Sequence, residues 1–173
     1  TKAELLHMGV REQHVTVLPM GLNVPKRIRK YPKEKDPTLI FVARFTKAKG
    51  IEEAISVLAH IKKIQPNIRL WIIGQGSQEY TQYIMQTTER LGVRSCLKLF
   101  GFVSEDKKFE LMSRAHLLIV SSLKEGWGLT VPEAGYVGTP AVGYDVEGLR
   151  DVIIQGKTGL LSRPTPAAMS HEI

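Results

Sequence analysis

The sequence contains a single cysteine, Cys96, among its 173 residues. One cysteine excludes an internal disulfide, and low cysteine use is typical of proteins kept in a reducing compartment. We expect Cys96 to be a buried apolar side chain rather than a nucleophile, because most free cysteines behave this way. No uninterrupted apolar run approaches the ~18 residues that a membrane-spanning helix needs. The sequence therefore predicts neither a disulfide-stabilised fold nor a membrane span.

Motifs for metal binding and for covalent hydrolysis are also missing. No Asp-x-Asp occurs, and the five histidines lack the spacing of metal ligands. The Gly-x-Ser-x-Gly motif of serine hydrolases is absent as well. The tripeptide 156–158 looks like the end of a phosphate-binding P-loop, but Asp151 stands where that motif needs glycine. We therefore expect a site that holds no metal.

The net charge of +7 lies almost entirely in the first third of the chain. Residues 1–50 carry eleven Lys or Arg and four Asp or Glu, whereas the two signs balance over residues 51–173. Six of the basic residues fall between Lys26 and Lys35. Such a run is usually a solvated linker; the alternative is a patch that attracts anionic lipid headgroups or an acidic acceptor. Nucleic acid is not expected, because only Tyr31 interleaves with these charges.

Apolar segments alternate with amphipathic helices from Thr38 onward. Strands are predicted at 39–43, 68–73, 97–100, 117–120 and 141–143, and helices at 51–64, 78–91, 105–114 (capped by Ser104) and 131–136. Strands that are apolar throughout indicate a parallel sheet covered on both faces. The predicted fold class is therefore α/β, a Rossmann-like doubly wound parallel sheet.

The first 37 residues differ in character from this alternating part. They are predicted to hold a short helix from Lys2 to Met8 capped by Thr1, a strand from Val15 to Leu18, and a proline-containing linker. We therefore divide the chain into an interdomain segment, 1–37, and one domain, 38–173.

Doubly wound sheets bind ligands at the carboxyl ends of their strands. The loop after the first domain strand carries Arg44, Lys47 and Lys49, followed by Gly50. Arginine offers a planar fork to phosphate oxygens, lysine offers a mobile charge, and glycine lets the backbone approach closely. This loop suits a diphosphate, although an ordinary basic loop has the same composition.

The next two loops carry weaker signals. Gly74-Gln75-Gly76-Ser77 is predicted to be a tight turn rather than a dinucleotide motif, because Glu79 replaces the third glycine. The turn from Gly101 to Ser104 offers exposed backbone groups to a flat base.

The loop after the fourth strand holds two carboxylates eight residues apart, Glu125 and Glu133, with Gly126 and Gly128 between them. Carboxylates accept hydrogen bonds from vicinal hydroxyls, so sugars and riboses are natural ligands. Taken singly, Glu125 is better explained as a surface carboxylate paired with a lysine, and Glu133 as a carboxylate that complements the helix dipole. Opposite the cationic loop, the pair favours a ligand with both phosphate and hydroxyl groups.

The helix that follows is predicted to begin at about Val131, so the backbone amides of Leu129 and Thr130 have no partner within it. Free amides at a helix start favour an anion.

In order and spacing these motifs resemble the carboxyl-terminal half of glycosyltransferase family 4 (group 1), whose members pair two Rossmann-like domains in the GT-B arrangement. The likeness covers residues 15–161. It rests on the linker 17–22, the phosphate loop 43–50, the paired-glutamate motif 125–134 and the segments 138–142 and 157–161.

The resemblance implies a role for each matching residue. Arg44 and Lys49 would bind the donor diphosphate and stabilise it as the leaving group. Glu125 would hold hydroxyls of the transferred sugar, assisted by the backbone from Gly126 through Gly128 to Leu129, and Glu133 would hold the ribose.

The loop at Val103 would pack on the base, with Glu105 or Lys108 nearby. Departures from the family pattern at Gln75, Ser77, Gly135 and Asp151 leave the base and the sugar open.

The resemblance further implies a retaining, metal-independent hexosyltransferase that takes a UDP- or GDP-linked sugar and serves a glycan, lipid or small-molecule acceptor. No cofactor is expected beyond this donor. The partner would be an amino-terminal acceptor domain, without which we expect this chain to be inactive. A cytoplasmic location follows from where nucleotide sugars are made, with peripheral membrane contact left open. The alternatives are a non-catalytic nucleotide- or phosphate-binding module and a polyanion- or membrane-surface binding domain built on Lys26 to Lys35.

Overall fold

The computed structural model describes residues 2–18, 21–25, 29 and 31–173, and within these ranges six strands form one sheet. The strands are β1 (Thr38–Val42), β2 (Arg69–Ile73), β3 (Leu97–Gly101), β4 (Leu117–Val120), β5 (Ala141–Tyr144) and β6 (Gly159–Ser162). The α-helices are α1 (Lys2–His7), α2 (Ile51–Lys62), α3 (Gln78–Arg90), α4 (Glu105–Arg114), α5 (Thr130–Tyr136) and α6 (Pro166–Glu172). Short 3-10 turns occupy Glu12–His14, Lys47–Lys49 and Arg94–Cys96.

The strand order is β3-β2-β1-β4-β5-β6, and every neighbouring pair is parallel. From β1 the chain adds β2 and β3 on one side and then returns to add β4 on the other, where Leu39 pairs with Leu117. This order confirms the predicted doubly wound, Rossmann-like class. A crevice is expected beyond the carboxyl ends of β1 and β4, because the connections there leave in opposite directions.

Both faces of the sheet are covered, as the continuous apolar strands predict. Leu39 and Phe41 of β1 join the cluster beneath α2, whereas Ile40 joins the cluster beneath α4 and α5. Successive residues of a strand point to opposite faces, so a strand buried on both sides must be apolar at every position. Cys96 lies in the first cluster, which confirms its predicted burial.

The predicted elements of the domain agree with the structure to within two residues. The predicted cap is confirmed, because the Ser104 hydroxyl accepts a hydrogen bond from the Lys107 amide at 3.3 Å. The sequence analysis did not assign β6 or α6. Residues Gly159 to Leu161 are only half-buried, since β6 is an edge strand of the sheet formed by the described residues, and their apolar signal is correspondingly short.

One predicted element is wrong. Residues 15–18 form no strand, and Val17 and Leu18 are exposed. A strand needs a neighbouring strand for its backbone N–H and C=O groups, and no strand of the described residues pairs with this segment. The predicted helix is confirmed as α1, whereas Thr1, its predicted cap, lies outside the described residues.

The end of the basic segment is attached to the domain by hydrogen bonds, although Lys33 itself is exposed. Lys33 Nζ donates hydrogen bonds to Ala115 O at 2.6 Å and to Thr139 Oγ1 at 2.8 Å. Beside it, Glu34 Oε1 accepts from Arg114 Nε at 2.7 Å. Burial lowers the pKa of Lys33. At least this cation therefore has a structural role, while Lys26, Arg27 and Lys30 of the same run lie outside the described residues.

None of the helices in the described ranges has both the length and the apolar character needed to cross a membrane.

Candidate functional site

A cleft of about 530 Å³ opens where the strand order reverses, beyond the carboxyl ends of β1 and β4. Its floor is apolar and comes from Phe41, Val42, Ile119 and Val120. Its walls are Ala43, Lys49, Ser122 and the run from Glu125 to Thr130. The cleft therefore brings together the cationic loop and the glutamate-containing loop, which lie some 75 residues apart in sequence.

Lys49 and Glu125 meet in this cleft. Lys49 Nζ lies 2.8 Å from Glu125 Oε1 and 2.9 Å from Oε2, so one ammonium contacts both carboxylate oxygens. Their side chains are 28% and 13% exposed. Charge-assisted hydrogen bonds at these distances are among the stronger ones in proteins. A cation and a carboxylate thus stand side by side in the cleft.

Backbone contacts hold the two loops against each other. Ser121 Oγ donates to Gly50 O at 2.6 Å, and the Leu123 amide donates to Ala48 O at 3.2 Å. Gly50 has φ +68° and packs so closely on Ser121 that any Cβ would collide with the Ser121 carbonyl. The predicted role of Gly50 was close backbone approach to a ligand, whereas the structure shows close approach to the neighbouring loop. Lys49 is positioned by this contact.

The sequence analysis missed a second contact that positions Glu125. Gly148, in the loop after β5, has φ +81°, and a Cβ there would collide with the Glu125 carbonyl oxygen. Its neighbour Leu149 is fully buried against Gly128. The signal was available, because the loop after β5 also leaves a carboxyl end of the sheet and contains a glycine.

Glu133 lies in the first turn of α5 and is held by a lysine from α4. Lys108 Nζ is 3.0 Å from Glu133 Oε1 and 2.9 Å from Glu105 Oε2. Burial acts to lower the pKa of Lys108, but the hydrogen bonds to Glu105 and Glu133 outweigh it and raise that pKa. Both predicted glutamates are therefore paired with lysines that the sequence analysis had also assigned to the site.

The other predicted site residues are distributed unevenly around the cleft. Leu129 and Thr130 line it, and their backbone amides donate to no acceptor in the part of the chain described. Gly126 lines it as well and is exposed. Arg44 is exposed, lies outside the lining and has no hydrogen bond or ion pair among the described residues. Val103 is half-buried against the cluster beneath α4.

The amino end of α2 carries two carboxylates that sequence reasoning did not weigh. Glu52 accepts hydrogen bonds from the hydroxyls of Tyr80 and Tyr83, each at 2.9 Å, and Glu53 accepts one from Tyr144 at 3.0 Å. Burial first, and the neighbouring glutamates second, raise the pKa values of Tyr80 and Tyr144. These acids already complement the dipole of α2. The groups in the cleft that could attract an anion are therefore Lys49 and the amino end of α5.

Among residues 2–18, 21–25, 29 and 31–173, no group of three or more His, Cys, Asp or Glu side chains could hold a metal ion.

The sequence profile of the family described as Glycosyl transferases group 1 matches residues 23–173. Glycogen synthase of Mycobacterium tuberculosis is 28% identical over 168 residues, which cover 95% of this chain and 39% of that protein. Trehalose synthase of Pyrococcus horikoshii is 30% identical over 141 residues, or 77% of this chain and 34% of that protein. The chain thus spans less than half the length of these relatives.

Among solved structures, Anabaena Alr3699/HepE in complex with UDP and glucose superposes with a TM-score of 0.81. The identity is 20%, and the match covers 98% of this chain and 49% of that one. At this identity the likeness supports the fold, which agrees with the strand order described above.

Proposed function

The chain belongs to the group 1 family of glycosyltransferases, and from that premise we propose that it is the donor-binding half of a retaining hexosyltransferase. Its donor would be a nucleotide-diphosphate sugar, UDP- or GDP-linked. The observation that carries the proposal is the meeting of Lys49, Glu125 and the free amides of α5 in one cleft at the switch point of the sheet. A phosphate and a sugar need these groups side by side.

Lys49 and the amides of Leu129 and Thr130 would hold the diphosphate. When the bond between the sugar and the diphosphate breaks, negative charge develops on the leaving phosphate. Preorganised cations and N–H groups in a water-poor cleft stabilise such charge effectively. Arg44, exposed on the same loop as Lys49, would reach the diphosphate from the open side. The site would use these groups instead of a metal ion.

Glu125 would accept hydrogen bonds from hydroxyls of the transferred sugar. Attack by the acceptor on the face that the diphosphate leaves would retain the anomeric configuration, with a leaving phosphate oxygen taking the acceptor proton. Glu125 is assigned to binding and not to covalent catalysis, because its two oxygens already face Lys49.

Glu133 would hold the ribose hydroxyls, in an orientation set by Lys108. The turn at Val103 would pack on the base, because it lies at the carboxyl end of β3 and leads into α4, which carries Lys108.

The acceptor would be bound by a second, amino-terminal domain. The relative lengths of the proteins support this, since the chain spans only 39% of the mycobacterial glycogen synthase and 49% of the HepE chain. The isolated chain would therefore bind donor weakly and transfer no sugar. The proposed location is the cytoplasm, with peripheral contact at the inner face of the membrane.

The proposal is tested by calorimetric titration of the chain with UDP, GDP and their sugar conjugates in EDTA. We expect binding of one nucleotide family, lost in both Arg44→Ala and Glu133→Ala. Circular dichroism checks that both variants fold. Binding that needs a divalent metal, or that survives both substitutions, would contradict the assignment of the site.

A further inference from the structure

The ion pair between Lys49 and Glu125 joins the two groups that the proposed function assigns to different parts of the donor. In the proposed function Lys49 contacts the diphosphate and Glu125 contacts the sugar. In this structure the two side chains contact each other instead. Both line the same cleft, and Glu125 is only 13% exposed. The ion pair and a bound donor therefore compete for the same two side chains.

The surrounding backbone holds this pair in place. The hydrogen bonds from Ser121 to Gly50 and from Leu123 to Ala48 fasten the Lys49 loop. Gly148 packs closely against the Glu125 carbonyl and restricts the backbone there. Because neither loop is free to withdraw, a carboxylate remains beside any phosphate that binds at Lys49.

The two states of the ligand affect this carboxylate differently. An intact donor brings sugar hydroxyls that can replace the ammonium as partners of Glu125, which frees Lys49 for the phosphates. A nucleoside diphosphate brings no such hydroxyls. Its terminal phosphate carries negative charge where the donor carries a neutral sugar, so Glu125, which is 13% exposed, is repelled more by the product than by the donor.

We propose that the Lys49–Glu125 ion pair discriminates against the nucleoside diphosphate and promotes its release once the sugar has been transferred. This inference rests on the proposed function. Glu125 is then a specificity-determining residue for intact donor over product, in addition to its part in holding the sugar. After transfer, the Glu125 carboxylate forms its ion pair with Lys49 again, which weakens the binding of the diphosphate to Lys49.

The test is Glu125→Gln, which keeps the shape of the side chain and removes its charge. Calorimetry with UDP and GDP, and with their sugar conjugates, measures both affinities in the wild-type chain and in the variant. We expect the variant to bind the nucleoside diphosphate about tenfold more tightly than the wild type. Its affinity for the sugar conjugate should not rise in parallel, so the preference for intact donor falls.

Two further variants separate the ion pair from general charge effects. Glu147→Gln removes an exposed carboxylate from the loop that contains Gly148 and should leave both affinities unchanged. In a Lys49→Met background, Glu125→Gln should increase affinity for the diphosphate less than it does in the wild type, because no lysine is left to be freed.

The outcomes distinguish this inference from the proposed function. If Glu125→Gln binds the diphosphate no better than the wild type, or if Glu147→Gln gives the same increase, the inference is wrong while the donor site stands. If neither wild type nor variant binds any nucleotide or sugar conjugate, the proposed function fails and the inference fails with it.

Discussion

Lys108 Nζ lies 3.0 Å from Glu133 Oε1, in a contact that ties α4 to the first turn of α5. The two side chains are 12% and 14% exposed, and Glu105 supplies a second carboxylate to the same ammonium at 2.9 Å. Taking a carboxylate out of water is costly unless a cation is paired with it. Lys108 therefore both stabilises the packing of α5 and holds the Glu133 side chain in place.

Replacing Lys108 with methionine should destabilise the domain by about 2 kcal/mol, because Glu133 would be left buried without its cation. It should also weaken nucleotide binding several-fold through misplacement of Glu133. Urea denaturation measures the first effect and calorimetry the second. Lys108→Arg, which keeps the charge, serves as the control, and equal losses in both variants would contradict this role.

The contribution of Lys108 to stability should fall at high pH. Its pKa is raised in the folded state, so the folded protein holds this proton more tightly than the unfolded chain does. The stabilisation is then fully present below the unfolded lysine pKa of about 10.4 and is lost as pH rises through the higher folded value. The difference in unfolding free energy between wild type and Lys108→Met should be flat from about pH 7 to 9 and shrink above about pH 10.

Gly50 and Gly92 form a matched pair for testing the contact between the site loops. Their φ angles are +68° and +66°, but a Cβ at Gly50 meets the Ser121 carbonyl whereas one at Gly92 meets nothing within 4 Å. Gly92→Ala should therefore cost only the left-handed backbone penalty, about 1 kcal/mol. Gly50→Ala should cost about 2 kcal/mol more, because the collision is with backbone. Equal midpoints in urea denaturation would show that the loops can separate freely.

Gly148 should matter for sugar binding although it lies outside every predicted motif. A Cβ there would displace the Glu125 backbone, so Gly148→Ala should weaken binding of the nucleotide sugar several-fold in calorimetry. Gly138→Ala is the control, because Gly138 has φ +80° and open space around it. A Gly148→Ala variant that binds donor as well as Gly138→Ala does would refute the positioning of Glu125 by this loop.

Lys33 should stabilise the fold, whereas its neighbour Lys35 should not. Lys33→Met removes hydrogen bonds to Ala115 and Thr139 and should cost about 1 kcal/mol. Both lysines are exposed, but Lys35 has no hydrogen bond or ion pair among the described residues. Lys35→Met should therefore stay within about 0.5 kcal/mol of wild type. Chemical denaturation of both variants decides between a structural lysine and a simple surface charge at position 33.

Sequence reasoning identified most of the elements because their signals are local. The strand from Thr38 to Val42 is buried on both faces and apolar throughout, and Ser104 caps α4 through a bond three residues away. It failed at Val15 to Leu18, where an apolar, β-branched run met the local criterion but found no partner in the described chain. Strand formation depends on pairing between distant segments, which local composition does not report.

For this protein, then, the sequence alone determined the α/β class, the order of strands and helices between residues 38 and 144, and the four loops most able to carry a ligand. These follow from hydrophobic periodicity and capping, which act within a few residues. Only the tertiary structure decided that Lys49 faces Glu125, that Lys108 faces Glu133, and that Gly148 packs against the backbone of Glu125. Each of these contacts joins residues more than twenty positions apart, and such contacts form only because the parallel sheet brings the carboxyl ends of separate strands to one edge.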